Sequence, residues 1–281
     1  MSQKVIITAD AACALPAELL EKWNVRIIYS SIKTSGGTFL EEAEISSENA
    51  VEYTKTTRSE PQLIYPNVKE YRDFFEKALG ECPAVCHFSC SSKLGIAFHS
   101  AVEASLTLSG VHIIDSFQLS TGIGFQVLQA ARLAAEGFDV PFIRKASAEL
   151  QPKISVSFAA PDYECGRIAG TVSPFFVSFM EVFGLSPLAT VKNGRINAAL
   201  FHTKKTDFWK KYIKKEFGAG KKIDTELLFI CCCNPNSFPI EKIKAEAAKY
   251  ISFKRIIPVK MSPKIAFKLG TAAFGLHYLT R

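Results

Sequence analysis

Small hydroxyl and charged groups gather where apolar runs of this chain end. Asp10 follows the run Val5–Thr8; Ser89, Ser91 and Ser92 close or follow Ala84–Cys90; Thr57, Arg58 and Ser59 lie in a polar loop. A fourth run, Val111–Ile114, ends at Asp115-Ser116, and Ser120, Gly122 and Gly124 then lead into the apolar-faced segment Phe125–Glu136. If the runs are parallel strands, their C-terminal ends face one crevice, where hydroxyls and fresh helix N–H groups suit a carboxylate or a phosphate. Each of these serines could equally serve as a helix cap. The glycine spacing is not the dinucleotide fingerprint, no phosphate-binding Walker loop occurs, and there is no Gly-x-Ser-x-Gly elbow. His87, His99, His112, His202 and His277 have no carboxylate at catalytic spacing. The chemistry indicated is anion binding by a protein that is not an enzyme, with no catalytic residue and no cofactor.

The elements that must position these groups alternate in the first half. Strands are expected at Val5–Thr8, Val25–Ser30, Ala84–Cys90 and Val111–Ile114, and helices at Pro16–Trp23, Glu48–Thr54, Val68–Leu79, Gly95–Leu108 and Phe125–Glu136. A polar loop from Thr56 to Pro66 separates two of the helices. Such alternation predicts parallel βαβ units with right-handed crossovers. The second half is less regular. Lys153–Ala159 alternates as a half-exposed strand, and Leu188–Lys192 and Ile196–Phe201 flank Asn193-Gly194, a hairpin signal. A basic helix is expected at Phe208–Phe217, strands at Leu227–Cys233 and Ile256–Val259, and a helix at Ile240–Tyr250. The fold class is therefore α/β with two domains, an N-terminal parallel-sheet α/β/α domain (1–150) and a C-terminal mixed-sheet α/β domain (151–281), the boundary falling near residues 148–153.

Composition narrows the class further. The chain has 281 residues, is 48% apolar and carries a formal charge of +7. Residues 1–150 hold 13 basic and 18 acidic side chains, a net of −5, whereas residues 151–281 hold 21 and 9, a net of +12. Much of the excess sits between Lys204 and Lys222, with Lys210, Lys211, Lys214 and Lys215 clustered. That cluster is read either as a solvated helix face or as a docking surface for an acidic partner. Nucleic-acid binding is not expected, because no recognition motif accompanies the charge. The 22 phenylalanines either pack the core or line an apolar ligand cavity, Phe176, Phe179 and Phe183 being the residues in question. The eight cysteines lack paired metal-ligand spacing and read as buried reduced thiols, with no metal site. The opening Lys4-Val-Ile-Ile-Thr is charged too early for a signal peptide, and no apolar run reaches membrane-spanning length. A cytoplasmic protein without integral membrane association is expected.

Several segments, in order, resemble the DegV family of fatty-acid-binding proteins. Thr8-Ala-Asp10, then Leu15-Pro16-Ala-Glu-Leu-Leu, is similar to the family's opening, and Arg58-Ser59-Glu60-Pro61 to its Thr-Ser-Gln-Pro loop. Ser91-Ser92-Lys93-Leu94-Gly95-Ile96-Ala97 resembles Ser-Ser-Gly-Leu-Ser-Gly-Thr. Ile114-Asp115-Ser116, followed by Ser120-Thr-Gly122-Ile-Gly124, resembles the family's Asp-Ser turn. Gly166-Arg167-Ile168 matches Gly-Arg-Ile, and Lys192-Asn-Gly194-Arg-Ile196 resembles the family's hairpin. The final glycine-rich turn is matched by Lys268-Leu-Gly270-Thr271. The resemblance covers nearly the whole chain.

The resemblance implies two α/β domains with a fatty acid between them, the acyl chain in an apolar tunnel and the carboxylate held near the surface by hydroxyls. It implies a fatty acid or related lipid as ligand and a fatty acid kinase as partner, the protein presenting the carboxylate for phosphorylation. It also implies lipid contacts from Thr57, Arg58, Ser59, Ser91, Ser92, Gly95, Ser120, Arg167, Lys268, Gly270 and Thr271. The chain departs from the family where a threonine falls at Arg58, a serine at Gly95, a histidine at Lys268 and an arginine at His202. Two neutral donors are lost and two cations gained. Arg58 and Lys268 would then hold the carboxylate by ion pairing, or the site takes another anion, or the chain is a diverged scaffold without a lipid. A related architecture carries dihydroxyacetone-type kinases, which need a reactive histidine that none of the five here resembles.

Overall fold

Every residue of β1 (Val5–Asp10) is buried, as a strand covered by helices on both faces must be. The computed structural model describes residues 4–161, 163–202, 208–218 and 220–281. The side chains of Phe176, Phe179 and His202, and Lys204 at the start of the basic stretch, lie outside the described residues. After β1 come α1 (Ala17–Lys22), β2 (Arg26–Ile28), β3 (Ser31–Thr34), β4 (Gly37–Leu40), α2 (Ser47–Thr57), β5 (Gln62–Ile64) and α3 (Val68–Leu79). Next are β6 (Ala84–Ser89), α4 (Ala97–Ser105), β7 (Val111–Asp115), α5 (Thr121–Ala135), α6 (Val140–Leu150) and β8 (Ile154–Ala159). The remainder is α7 (Glu164–Ile168), α8 (Pro174–Val182), β9 (Leu185–Lys192), β10 (Arg195–His202), α9 (Phe208–Phe217), β11 (Ile223–Cys232), α10 (Ile240–Ala247), β12 (Arg255–Lys260), α11 (Pro263–Leu269) and β13 (Phe274–Thr280). The chain forms two units, one of residues 1–31, 63–154 and 191–196, the other of residues 32–62, 155–190 and 197–281. One passage between them falls at Ile154–Ser155, and residues 32–62 group with the later part of the chain.

The first unit holds a sheet of order β2-β1-β6-β7, parallel throughout. A parallel sheet sends all its C-terminal ends to one edge, which here gathers Asp10, Ser89 and Asp115. Below that edge Ile6, Tyr71, Phe75, Val85 and Ala101 share one core. Helix α3 begins as its sequence predicts, because Asn67 and Glu70 close a capping box. Helix α5 begins at Thr121, earlier than expected, so Gly122 and Gly124 belong to its first turn and not to the preceding turn. The first turn packs closely on the start of the chain: a Cβ at Gly124 would stand 2.8 Å from Leu15 Cδ2 and 3.0 Å from the Cys13 carbonyl.

The second unit holds a sheet of order β10-β9-β8-β13-β11-β12. It is mixed, with β8/β9 and β11/β13 antiparallel and β11/β12 parallel. Asn193 and Gly194 both take positive φ, 49° and 76°, the two-residue turn expected between β9 and β10. Strand β8 is buried at every position but Ser155, so the half-exposed reading of this strand is corrected. Helix α9 buries Phe208, Tyr212, Ile213 and Phe217 and exposes Lys210, Lys211, Lys214 and Lys215, the geometry of a solvated basic face. The polar loop after α2 contains β5, which joins β3 and β4 in a small sheet of order β4-β3-β5. All eight cysteines are buried, and burial pushes the Cys86, Cys232 and Cys233 thiols up to about 12. Among the described residues no helix is long and apolar enough to cross a membrane, and no group of three His, Cys, Asp or Glu could hold a metal.

The strand ends of the first unit are tied to one buried carboxylate. Asp10 Oδ1 accepts from the Tyr71 hydroxyl at 2.6 Å, and Oδ2 accepts from Ser89 Oγ at 2.7 Å and from the Cys90 N–H at 2.8 Å. His87 Nε2 lies 3.3 Å from Oδ1, off the line of a good hydrogen bond, while its Nδ1 meets Thr8 Oγ1 at 2.9 Å. Burial by itself pushes the Asp10 carboxyl up; the His87 ring, the Tyr71 hydroxyl and the Cys90 N–H outweigh it and bring it from 3.8 down to about 2.

Three outcomes follow from this packing. Asp10→Ala leaves Tyr71, Ser89 and His87 buried around a missing acceptor, and urea unfolding should show a loss of about 3–5 kcal/mol. Because Asp10 is more acidic folded than unfolded, its contribution of roughly 2 kcal/mol is whole above pH 3.8 and drains away as pH falls toward 2; acid titration of wild type should show this drop and that of Asp10→Ala should not. Gly275→Ala would set a Cβ 2.8 Å from the Ser157 carbonyl and 2.8 Å from Phe158 Cδ1; a stability loss of about 1–3 kcal/mol is expected at unchanged urea m-value.

Candidate functional site

The turn from β6 into α4 is built by the carboxylates at the ends of the neighbouring strands. Asp10 fixes Ser89 and Cys90, and Asp115 Oδ1 accepts from the N–H groups of Ser92 at 3.3 Å and Phe117 at 2.9 Å. The Ser91 N–H donates to the Gln118 carbonyl at 3.1 Å. Ser91 Oγ donates to the Gly194 carbonyl at 2.8 Å and accepts from the Lys93 N–H at 3.3 Å. Ser91 is therefore buried and committed to holding the turn. Lys93 Nζ in turn donates to the Asn193 carbonyl at 2.9 Å.

Ser92 differs. It is half-buried, and among the described residues its hydroxyl makes no hydrogen bond. It stands just ahead of α4, whose N-terminus has no side-chain cap, so the first N–H groups of that helix remain available to an anion. Gly95 lies on the same stretch, with the Tyr65 ring beside it. Ser120 is fully buried at the start of α5, with φ 55°, and contributes to the framework and not to an open surface. Among the described residues named at this edge, the donors are neutral apart from Lys93, whose ammonium is engaged.

The other expected residues belong to the second unit. Thr57 Oγ1 donates to the Tyr53 carbonyl at 2.8 Å and lies 2.9 Å from Ser59 Oγ. Arg58 ends α2 and pairs with Glu164 on α7, to which Lys55 also approaches at 4.0 Å. Lys268, in the last turn of α11, pairs with Glu60 at 3.1 Å. A Cβ at Gly166 would lie 3.4 Å from the Lys268 carbonyl, which packs α7 against the end of α11. Gly270 follows at φ 82°, and Thr271 lines an open groove of 580 Å³ with Glu48, Val51, Lys55 and Phe238. Arg167 is exposed on α7 and carries no ion pair among the described residues. The structure thus brings Thr57, Arg58, Ser59, Arg167, Lys268, Gly270 and Thr271 to neighbouring helix ends, and it supplies both gained cations with acidic partners of their own.

The sequence reading missed four participants: Tyr71 and His87 as the partners of Asp10, and Glu60 and Glu164 as the partners of the cations. Glu60 stands inside a quoted motif and Glu164 two residues before another, but only the fold reveals that they face Lys268 and Arg58.

Comparison with known proteins agrees with this architecture. A DegV domain-containing protein of Staphylococcus aureus strain COL is 24% identical over 284 residues, covering 100% of both chains. A DegV family protein from Thermus thermophilus, whose structure is described as fatty acid binding, superimposes with a TM-score of 0.83 at 21% identity over 99% of this chain and 100% of that one. DegV from Bacillus subtilis, described as a fatty acid binding protein, gives 0.80 at 20% identity over 100% of both. A DegV family protein from Eubacterium eligens loaded with heptadecanoic acid gives 0.81 at 16% identity over 99% and 100%. At these identities the structures speak for the fold. The family model described as "Uncharacterised protein, DegV family" matches residues 4–281, and with that match over nearly its whole length the chain belongs to the DegV family.

Proposed function

We propose that this protein binds a long-chain fatty acid or similar lipid, with the acidic head at the β6–α4 turn of the first unit. The observation that carries the reading is a half-buried Ser92 hydroxyl, without a hydrogen bond among the described residues, on the turn that leads into α4, whose N-terminus has no side-chain cap. Relatives described as fatty acid binding share the fold. Each buried methylene of an acyl chain contributes about 0.8 kcal/mol, so the chain supplies affinity, while the carboxylate needs hydrogen-bond donors in place of water. Arg58 and Lys268 already have carboxylate partners, Glu164 and Glu60, so a ligand carboxylate would compete with an internal acid for either cation. Among the described site residues, Arg167 is the cation without an ion pair of its own. A fatty acid held by its tail with its head at a surface turn is suited to presentation to a fatty acid kinase, which would phosphorylate the carboxylate to an acyl phosphate.

Native mass spectrometry of the purified protein, followed by denaturation and organic extraction, tests the reading directly. One fatty acid per chain is expected. An empty protein that also refuses added fatty acid would point to another anion or to a scaffold. With a fatty acid in hand, Ser92→Ala should weaken binding about tenfold and Arg58→Ala by less than about threefold. Loss of most affinity in Arg58→Ala would assign the head group to Arg58 instead. Mixing the loaded protein with a fatty acid kinase and ATP should yield acyl phosphate.

A further inference from the structure

Gly95 raises a question of space. It is not among the glycines of positive φ, so its backbone is open to any residue, and something other than conformation keeps a side chain away. A Cβ there would stand 2.8 Å from the Tyr65 hydroxyl oxygen and 3.0 Å from Tyr65 Cζ. The end of the Tyr65 ring therefore occupies the room that a side chain at position 95 would use. Tyr65 is half-buried and held between the end of β5 at Ile64 and Pro66, which confines the backbone of the residue before it to extended conformations. A tyrosine so placed has two side-chain torsions to fix and carries a neutral hydroxyl donor. That hydroxyl lies one residue ahead of Ile96, the uncapped N-cap of α4.

We propose that Tyr65 selects the head group of the bound lipid: its phenol, set into the space left open by Gly95, donates to the acidic end beside Ser92. The proposal rests on the fatty-acid reading above. A neutral phenol strengthens its hydrogen bond when the acceptor is ionised, so it distinguishes a carboxylate from an alcohol without adding a charge. The pair also explains how the turn retains a hydroxyl with a glycine at position 95: the donor comes from a distant part of the chain.

The test compares dissociation constants for a saturated fatty acid and for the fatty alcohol of the same chain length. Tyr65→Phe keeps the ring and should weaken the acid about tenfold while leaving the alcohol within about twofold. Equal weakening of both ligands, or full retention of acid affinity, overturns the proposal and leaves the fatty-acid reading standing. A second comparison reverses the swap. Tyr65→Ala should lose acid affinity, and adding Gly95→Ser to it should restore part of the loss, because the serine then has room. Failure of the serine to restore any affinity counts against the hydroxyl being needed at that place. Wild-type protein that takes up neither ligand overturns the fatty-acid reading itself, and this proposal with it.

Discussion

A single carboxylate governs the functional edge of the first unit. Asp10 gathers donors from α3, from β6 and from the turn beyond it. Burying a charge costs several kcal/mol unless its hydrogen-bonding capacity is met, and here the capacity is met by groups that must stay in place. Tyr71 cannot serve as the competing acid, because burial and the adjoining carboxylate push its phenol far up. The stability cost of the charge is thus offset by the hydrogen bonds that fix Ser89 and Cys90 at the start of the turn that carries Ser92. Ser91 is spent on the scaffold, whereas the hydroxyl of its neighbour Ser92 makes no hydrogen bond among the described residues.

The second unit treats charge differently. Its two unusual cations, Arg58 and Lys268, are matched by Glu164 and Glu60 on partly exposed ion pairs. Such pairs contribute little to stability, about 0–1 kcal/mol each. Their main effect is local neutrality at the ends of α2, α7 and α11. A surface that had gained two bare cations would attract small anions indiscriminately. With both cations answered, neither stands as a bare charge at these helix ends.

Local physics made much of the fold legible before any coordinates. Helix α3 falls on its expected residues because a capping box and an apolar stripe act within a few residues of each other. The β9–β10 hairpin was readable because Asn193-Gly194 is suited to positive φ at both positions. Helix α9 shows its periodicity plainly. What escaped was decided at a distance. Strands β3 and β4 are short and half-exposed, and β5 hides between two prolines, so none shows a period. The first turn of α5 packs closely on Leu15, and Arg58 meets a glutamate 106 residues away. The site was legible as a set of hydroxyls; which of them is already engaged was not.

The interleaving of the units has a consequence for synthesis. Residues 32–62 belong with partners that begin at residue 155, so a ribosome releases this segment well before those later partners exist. At ordinary elongation rates the delay is on the order of ten seconds. Throughout that interval Ile32, Ile45 and Val51, all buried in the finished protein, lack the later part of their unit. The first unit has meanwhile to close its sheet around the gap, pairing β1 with β6 across the waiting segment. Nascent chains of this protein therefore carry residues 32–62 ahead of the partners that begin at residue 155, and the second unit closes only late in synthesis.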